Sequence, residues 1–439
     1  LFSYTYAVAN YFVLFANLGI KNYGSRTIAM VRNNKEELNR NFSEILSIHI
    51  IFSIIVIFVY LVLLFFFVED NLVIFLIQSI YVFAAVFDIN WFFFGIEKFK
   101  LTVGRNTLVK ILSVFLVLVF VKTQTDLWIY ALILALSVFV GQSVVWFALK
   151  QYVSWRRPSW ANMKQHIRPL FVLFLPILAL SLYKYMDKIM LGSISSNVQV
   201  GFYENAEKII NVPMSLIMAF GVVLMPRIAN MVTSKDKGEV FKLIDMSMEA
   251  VMLLAIAISF GLAGISFVLA PIFFGYEFEE CGILIMGLAV TVPFMAFANV
   301  IRTQYLIPYK EDKIFVVSLF LGAAVNLIVN IILIPYMAAR GAVIGTIFAE
   351  IIVCIYQSYF VRKKIFIKKY LLNTIPPILI GIVMFVFVFQ IGNVMNINIV
   401  TLILQLLVGM FIYAVGVFLL MLKSRTRLMV LLRKFVVRY

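Results

Sequence analysis

The chain has 439 residues, 64% hydrophobic and 13% charged, with a net charge of +16. A soluble domain carries about 45–50% apolar and roughly 25% charged residues, so this composition excludes one. In a soluble protein the basic excess would point to nucleic acid; in a membrane protein it belongs to cytoplasmic loops, so nucleic acid is excluded as a partner if the charges fall there.

Apolar runs of about 20 residues, the length that crosses a hydrocarbon layer, recur from end to end. Thirteen spans are predicted, at 2–20, 45–68, 71–94, 106–121, 126–148, 169–192, 204–225, 246–271, 281–306, 315–336, 341–361, 371–392 and 398–422. Runs such as IIFSIIVIFVYLVLLFFFV (50–68) lack the alternation of a barrel strand, so the fold class is an all-α polytopic membrane protein. The chain opens LFSYTYAVANY, at the edge of a span, and one further span is expected upstream, making fourteen.

The first long polar break carries Lys21, Arg26, Arg32, Lys35 and Arg40. Placing it in the cytoplasm and letting each span cross puts 31 of the 37 Lys and Arg residues on inside breaks, inner span ends and the tail from Lys423. The outside breaks, such as Glu69–Asp70 and GYEFEE (275–280), are acidic or neutral. The bacterial cytoplasmic membrane, with basic loops and tail inside, is the expected location.

Two stretches echo one another: YGSRTIAMVRNNKEE (23–37) after the first span and LMPRIANMVTSKDKGE (224–239) after the seventh. With the expected upstream span they are six spans apart, an even shift, as in parallel repeats whose two halves face a shared site. The expected plan is a first lobe over 1–150 and a cytoplasmic linker over 151–168. A second six-helix lobe follows over 169–361, then two additional spans and a basic tail over 362–439.

No Gly-rich phosphate loop, nucleophile elbow or His-Glu-x-x-His pair is present, and the outside breaks are short, so no enzyme is expected. Cys281 and Cys354 read as small side chains in apolar runs. His49 and His166 are distant in sequence and lack ligand-like neighbours, so neither metal nor cofactor is expected.

Ionisable groups inside spans carry the functional signal, because each costs about 2.5 kcal/mol or more unless it faces protein or water. In LYKYMDKIMLG (182–192), Lys184 and Lys188 share a helix face with Asp187 beside them. That face suits a phosphate or diphosphate; the competing reading is a pair of side chains reaching back to the outer interface. Arg302 is a second candidate, with the same two readings. Asp88, in AVFDINWFFFG (85–95), is read as the one carboxylate well inside the first lobe and so as an ion-coupling candidate, or else as an interface anchor beside Trp91. Glu204, Glu207 and Lys208 are expected to pair among themselves.

YGSRTIA (23–29), PILALSLYKYMDKIMLG (176–192), VGFYENAEKI (200–209), LMPRIAN (224–230), NLIVNIILIP (326–335) and GAVIGTIFAE (341–350), in that order, resemble the polysaccharide-transporter family of Wzx-type O-antigen and repeat-unit flippases. The resemblance implies two pseudo-symmetric six-helix lobes around a central cavity, plus two C-terminal transmembrane helices. It implies movement of an undecaprenyl-diphosphate-linked oligosaccharide between leaflets by alternating access, with polysaccharide polymerase machinery as a partner. Lys184, Asp187, Lys188 and Arg302 would then line a cationic cavity. Two alternatives stay open: a multidrug or cation antiporter of the same superfamily, and an integral-membrane polymerase or ligase.

Overall fold

The computed structural model describes residues 1–68, 70–233 and 237–423, in which there are helices and turns and no strand. Contacts between Cα atoms divide the chain into two compact units, Leu1–Ile189 and Met190–Tyr439.

The first unit begins with α1 (Phe2–Asn17) and α2 (Ile20–Val31), joined at a sharp corner where Leu18 and Gly19 both take positive φ. Gly19 also lies so close to the backbone of α8 (Trp160–Ile194) that a Cβ there would come within 2.9 Å of Leu170 O and Phe174 N. Any other residue would both strain the corner and push α8 away. α3 (Lys35–Phe67) starts at Asn34, whose side chain accepts from the amides of Glu36 and Glu37. Those two carboxylates in the first turn complement the helix dipole.

α4 (Leu72–Val86) leads through Asp88 into the short α5 (Asn90–Gly95), then α6 (Phe99–Phe120) and α7 (Leu127–Leu149). α5 is the plug of this unit: Trp91, Phe92 and Phe93 are buried, with Phe42 of α3 stacked on Trp91 at 5.6 Å between ring centroids. A Cβ on Gly24 would lie 2.5 Å from the Trp91 ring, which lets α2 close down on α5.

Around the start of the linker expected over 151–168, the segment 150–159 is fastened along α3. Lys35 Nζ donates to Tyr152 O (2.6 Å), the Ser154 amide to Asn39 Oδ1 (3.0 Å), and the Arg156 amide to Ser43 Oγ (2.9 Å). α8 then begins at Trp160, nine residues before the predicted span, and Leu170 and Phe174 join the first unit's core. Helix and core extend earlier than hydropathy indicates because a covered polar helix end needs no apolar run.

The second unit comprises α9 (Asn197–Thr233), α10 (Lys237–Phe274), α11 (Cys281–Ala289), α12 (Thr291–Ile301), a π-helical turn (Arg302–Leu306), α13 (Asp312–Val361), α14 (Ile367–Val394) and α15 (Ile399–Lys423). α10 is its hub, packing against α9, α11, α12, α14 and α15. α13 runs through two predicted spans and breaks at Ala338, where φ is 48°. After the break, Gly341 lies against the Leu333 carbonyl, 2.7 Å from where a Cβ would be.

Ten helices among the described residues are long and apolar enough to cross a membrane. Adding α1 and α8, and counting α13 as two, accounts for each of the thirteen predicted spans. The protein is a multi-pass membrane protein.

Candidate functional site

In the first unit, Asp187 and Lys188 are both buried, at 4% and 7% exposure. Both side chains are therefore covered by protein. The side chain of Lys184 lies outside the described residues, so its pairing with Lys188 remains an expectation. Tyr11 of α1 meets this stretch of α8: its ring is edge-on to Tyr185 at 5.8 Å, and its hydroxyl donates to Ser181 O (3.4 Å). Asp187 lies close enough to Tyr11 to act on it electrostatically. The sequence reading missed Tyr11, which belongs to a tyrosine-rich first span with no distinguishing pattern.

Asp88 is half-buried, and its Oδ1 accepts from both the amide (3.0 Å) and the side-chain nitrogen (2.6 Å) of Asn90. Asn90 also donates to Gln142 Oε1 (2.9 Å) and accepts from Arg105 Nη2 (3.1 Å), while Arg105 Nη1 donates to Gly141 O (2.6 Å). Asp88 is thus part of a polar network joining α5, α6 and α7.

Asp88 is not the one interior carboxylate of this unit, which corrects the expectation above. Glu44 of α3 is 1% exposed and its Oε2 lies 3.0 Å from His166 Nε2 of α8; Tyr23 OH lies 2.7 Å from His166 Nδ1. The sequence places Glu44 just before an apolar span, at an apparent water interface. It is interior because α2, α8 and the 150–159 segment cover that end of α3. His49, one and a half turns further along α3, is also fully buried, and neither ring nitrogen has a hydrogen-bond partner.

In the second unit, Arg302 opens the π-helical turn and is held inward. Its Nη2 donates to Asn299 Oδ1 (2.6 Å), its guanidinium lies over the Phe315 ring at 5.4 Å, and the buried Glu350 acts on it electrostatically. Thr303 Oγ1 donates to Asn299 O (2.7 Å), and Gln357 Nε2 donates to Ser318 Oγ (2.9 Å). Gln304 is fully buried with both amide atoms unpartnered. Wide turns of this kind recur where a helix is opened for function. Lys208 pairs with Glu204 at 3.1 Å, as expected, and Cys281 and Cys354 are both free.

The second unit also holds an apolar cavity of about 960 Å³ along α10, α14 and α15, reaching Pro213 of α9. Leu253, Gly261, Met384, Gly409 and Met410 contribute to its wall, and of its few polar groups the Tyr413 hydroxyl and the Gln405 amide nitrogen are turned to backbone while Gln405 Oε1 has no partner. Tyr413 OH donates to Leu253 O (2.7 Å) and Gln405 Nε2 to Val388 O (2.8 Å). A wall so largely apolar suits hydrocarbon far better than a sugar.

Residues 1–232 match the family model described as "Polysaccharide biosynthesis protein". A "Putative O-antigen transporter" of Shigella dysenteriae is 25% identical over 357 residues, covering 77% of this chain and 86% of that protein. Among solved structures, a lipid II flippase MurJ in an inward closed conformation superposes with a TM-score of 0.72 at 17% identity, covering 94% of this chain and 91% of the other. An inward-facing multidrug resistance MATE family transporter of the MOP superfamily gives 0.66 at 13% identity, covering 83% and 90%. These structural likenesses establish the fold.

Proposed function

Because the chain belongs to the polysaccharide biosynthesis protein family, we propose that it is a flippase, which moves an undecaprenyl-diphosphate-linked oligosaccharide across the bacterial cytoplasmic membrane by alternating access. The observation that carries this reading is the presence of cations held inside apolar helices: Lys188 in the first unit and Arg302 in the second. Cations inside apolar helices are costly in lipid and mark substrate or ion pathways, and a diphosphate is the anion such a substrate would bring to them. The apolar cavity along α10, α14 and α15 suits the polyprenyl chain of the same molecule.

The S. dysenteriae relative, named "Putative O-antigen transporter", supports transport over an enzymatic polymerase or ligase. The MATE likeness concerns the fold alone and leaves the drug-extruder reading without a site observation of its own. In this proposal 1–150 and 169–361 are the two lobes, the basic breaks face the cytoplasm, Asp88 takes part in ion coupling, and polymerase machinery receives the product.

The test is full-length protein in liposomes, scored by protection of a lipid-diphosphate oligosaccharide from an external probe. Lys188→Ala and Arg302→Ala are each expected to slow flipping by about tenfold or more, the scale of one lost charge-assisted contact. Wild-type protein that moves cationic dyes and no sugar lipid would overturn the proposal in favour of an extruder.

A further inference from the structure

The turn between α13 and α14 reads RKKIFIKK (362–369), a dense run of cations set between two apolar helices. Arg362 lies over the Tyr359 ring at 3.6 Å. Asp245 of α10 takes Lys369 Nζ at 2.7 Å and accepts from Tyr370 OH at 2.5 Å. Those contacts, with Ile365 buried beneath the turn, fasten it to α10. Lys363, Lys364 and Lys368 are exposed, and among the described residues none of the three has a carboxylate partner.

One helical turn after Lys368, α14 enters the wall of a second apolar cavity, of about 450 Å³, set among α10, α11, α12, α13 and α14. Leu371, Thr374, Ile378 and Phe385 are α14's side of it, at spacings that keep them on one face of the helix. That stripe runs about 21 Å at ~1.5 Å per residue, more than one leaflet of a ~30 Å hydrocarbon core. The cavity's two hydroxyls are turned to backbone: Ser259 donates to Ala289 O (2.7 Å) and Thr374 to Tyr370 O (2.8 Å). Leu371 and Val290 are exposed, so the cavity opens at the surface of the second unit. No residue lines both this cavity and the larger one along α15.

Charge bias between the two sides of a membrane accounts for cations in such a turn, but not for Lys368 standing one turn before the mouth of an apolar cavity. We infer that the turn and the cavity together bind an anionic phospholipid of the surrounding bilayer. Its phosphate rests on Lys363, Lys364 and Lys368, and one acyl chain lies in the cavity along α14. Exposed ammonium groups act as point charges toward a phosphate, and basic clusters directly beside membrane helices attract anionic headgroups. The turn is joined without a spacer to the apolar runs of α13 and α14, so it meets the bilayer's own headgroups. Lys188 and Arg302 take no part, and the site does not depend on what the protein transports.

The test places full-length protein in nanodiscs of mixed phosphatidylglycerol and phosphatidylcholine, then counts the lipid it retains by native mass spectrometry. Wild type is expected to keep one phosphatidylglycerol in preference to phosphatidylcholine. That preference should fall at least about tenfold in Lys363→Gln/Lys364→Gln/Lys368→Gln and survive in Lys363→Arg/Lys364→Arg/Lys368→Arg. Ile378→Trp fills the cavity and leaves the cations, so it should weaken retention of long-chain phosphatidylglycerol and spare a dihexanoyl form; Leu371→Trp at the mouth is the second variant if that one does not fold. Thermal unfolding in phosphatidylcholine alone checks each fold, and added phosphatidylglycerol should raise the midpoint of wild type and not of the triple glutamine variant. Equal retention of the two lipids by wild type, or a preference that persists in the triple glutamine variant, overturns the site. Displacement of phosphatidylglycerol by undecaprenyl diphosphate at equal or lower concentration also overturns it, by giving the lysines to the transported lipid. If wild type flips no sugar lipid while retention behaves as expected, the substrate reading falls and the phospholipid site stands.

Discussion

The same helix, α3, presents one histidine pocket that is complete and one that is open. At Glu44, the carboxylate meets His166 and the other ring nitrogen meets Tyr23, so each polar group buried there has a partner. At His49, the ring is buried as deeply and has none, although Asp88 is near enough to act on it. The first arrangement ties α2, α3 and α8 into one body. The second leaves hydrogen-bonding capacity unused, and unused capacity in an interior is what a ligand or proton can exploit. A satisfied and an unsatisfied polar group therefore lie about one and a half turns apart on a single helix.

Mutations should expose that difference. Glu44→Leu removes the acceptor and strands His166, and it is expected to destabilise the protein by about 3 kcal/mol, the scale for breaking a buried polar pair. Thermal unfolding in detergent reads this, and Glu44→Gln should recover part of the loss. Tyr23→Phe deletes one hydrogen bond to His166 and should cost about 1 kcal/mol in the same assay. His49→Leu should change stability by less than about 1 kcal/mol, and in the stabilising direction, because it replaces an unsatisfied ring with an apolar side chain. A large loss at His49→Leu, or none at Glu44→Leu, would break the comparison.

Much of the transport reading was legible before any coordinates. Lys188 and Arg302 stand out as cations inside apolar runs, and both are held inward. Glu350, at the end of GAVIGTIFAE and inside the span predicted at 341–361, is a buried carboxylate that the sequence analysis does not single out. Glu44 and His166 were invisible as a pair, since 122 residues separate them and each flanks an apolar run. Hydropathy locates a polar residue along the chain and says nothing of what folds over it.

The sequence by itself determined that this protein is a bundle of membrane helices with its basic residues gathered in alternate breaks. That follows because crossing lipid obliges each segment to satisfy its own backbone and be apolar over its own length, a local property. Only the tertiary structure decided that the 150–159 segment is fastened to α3, that α13 continues through a break at Ala338, and which histidine is satisfied. The packing of the first unit likewise depends on close approaches between residues far apart in sequence, at Gly19 against α8 and Gly24 against Trp91. Side-chain partners in an interior are chosen by packing, and packing is set by the whole fold.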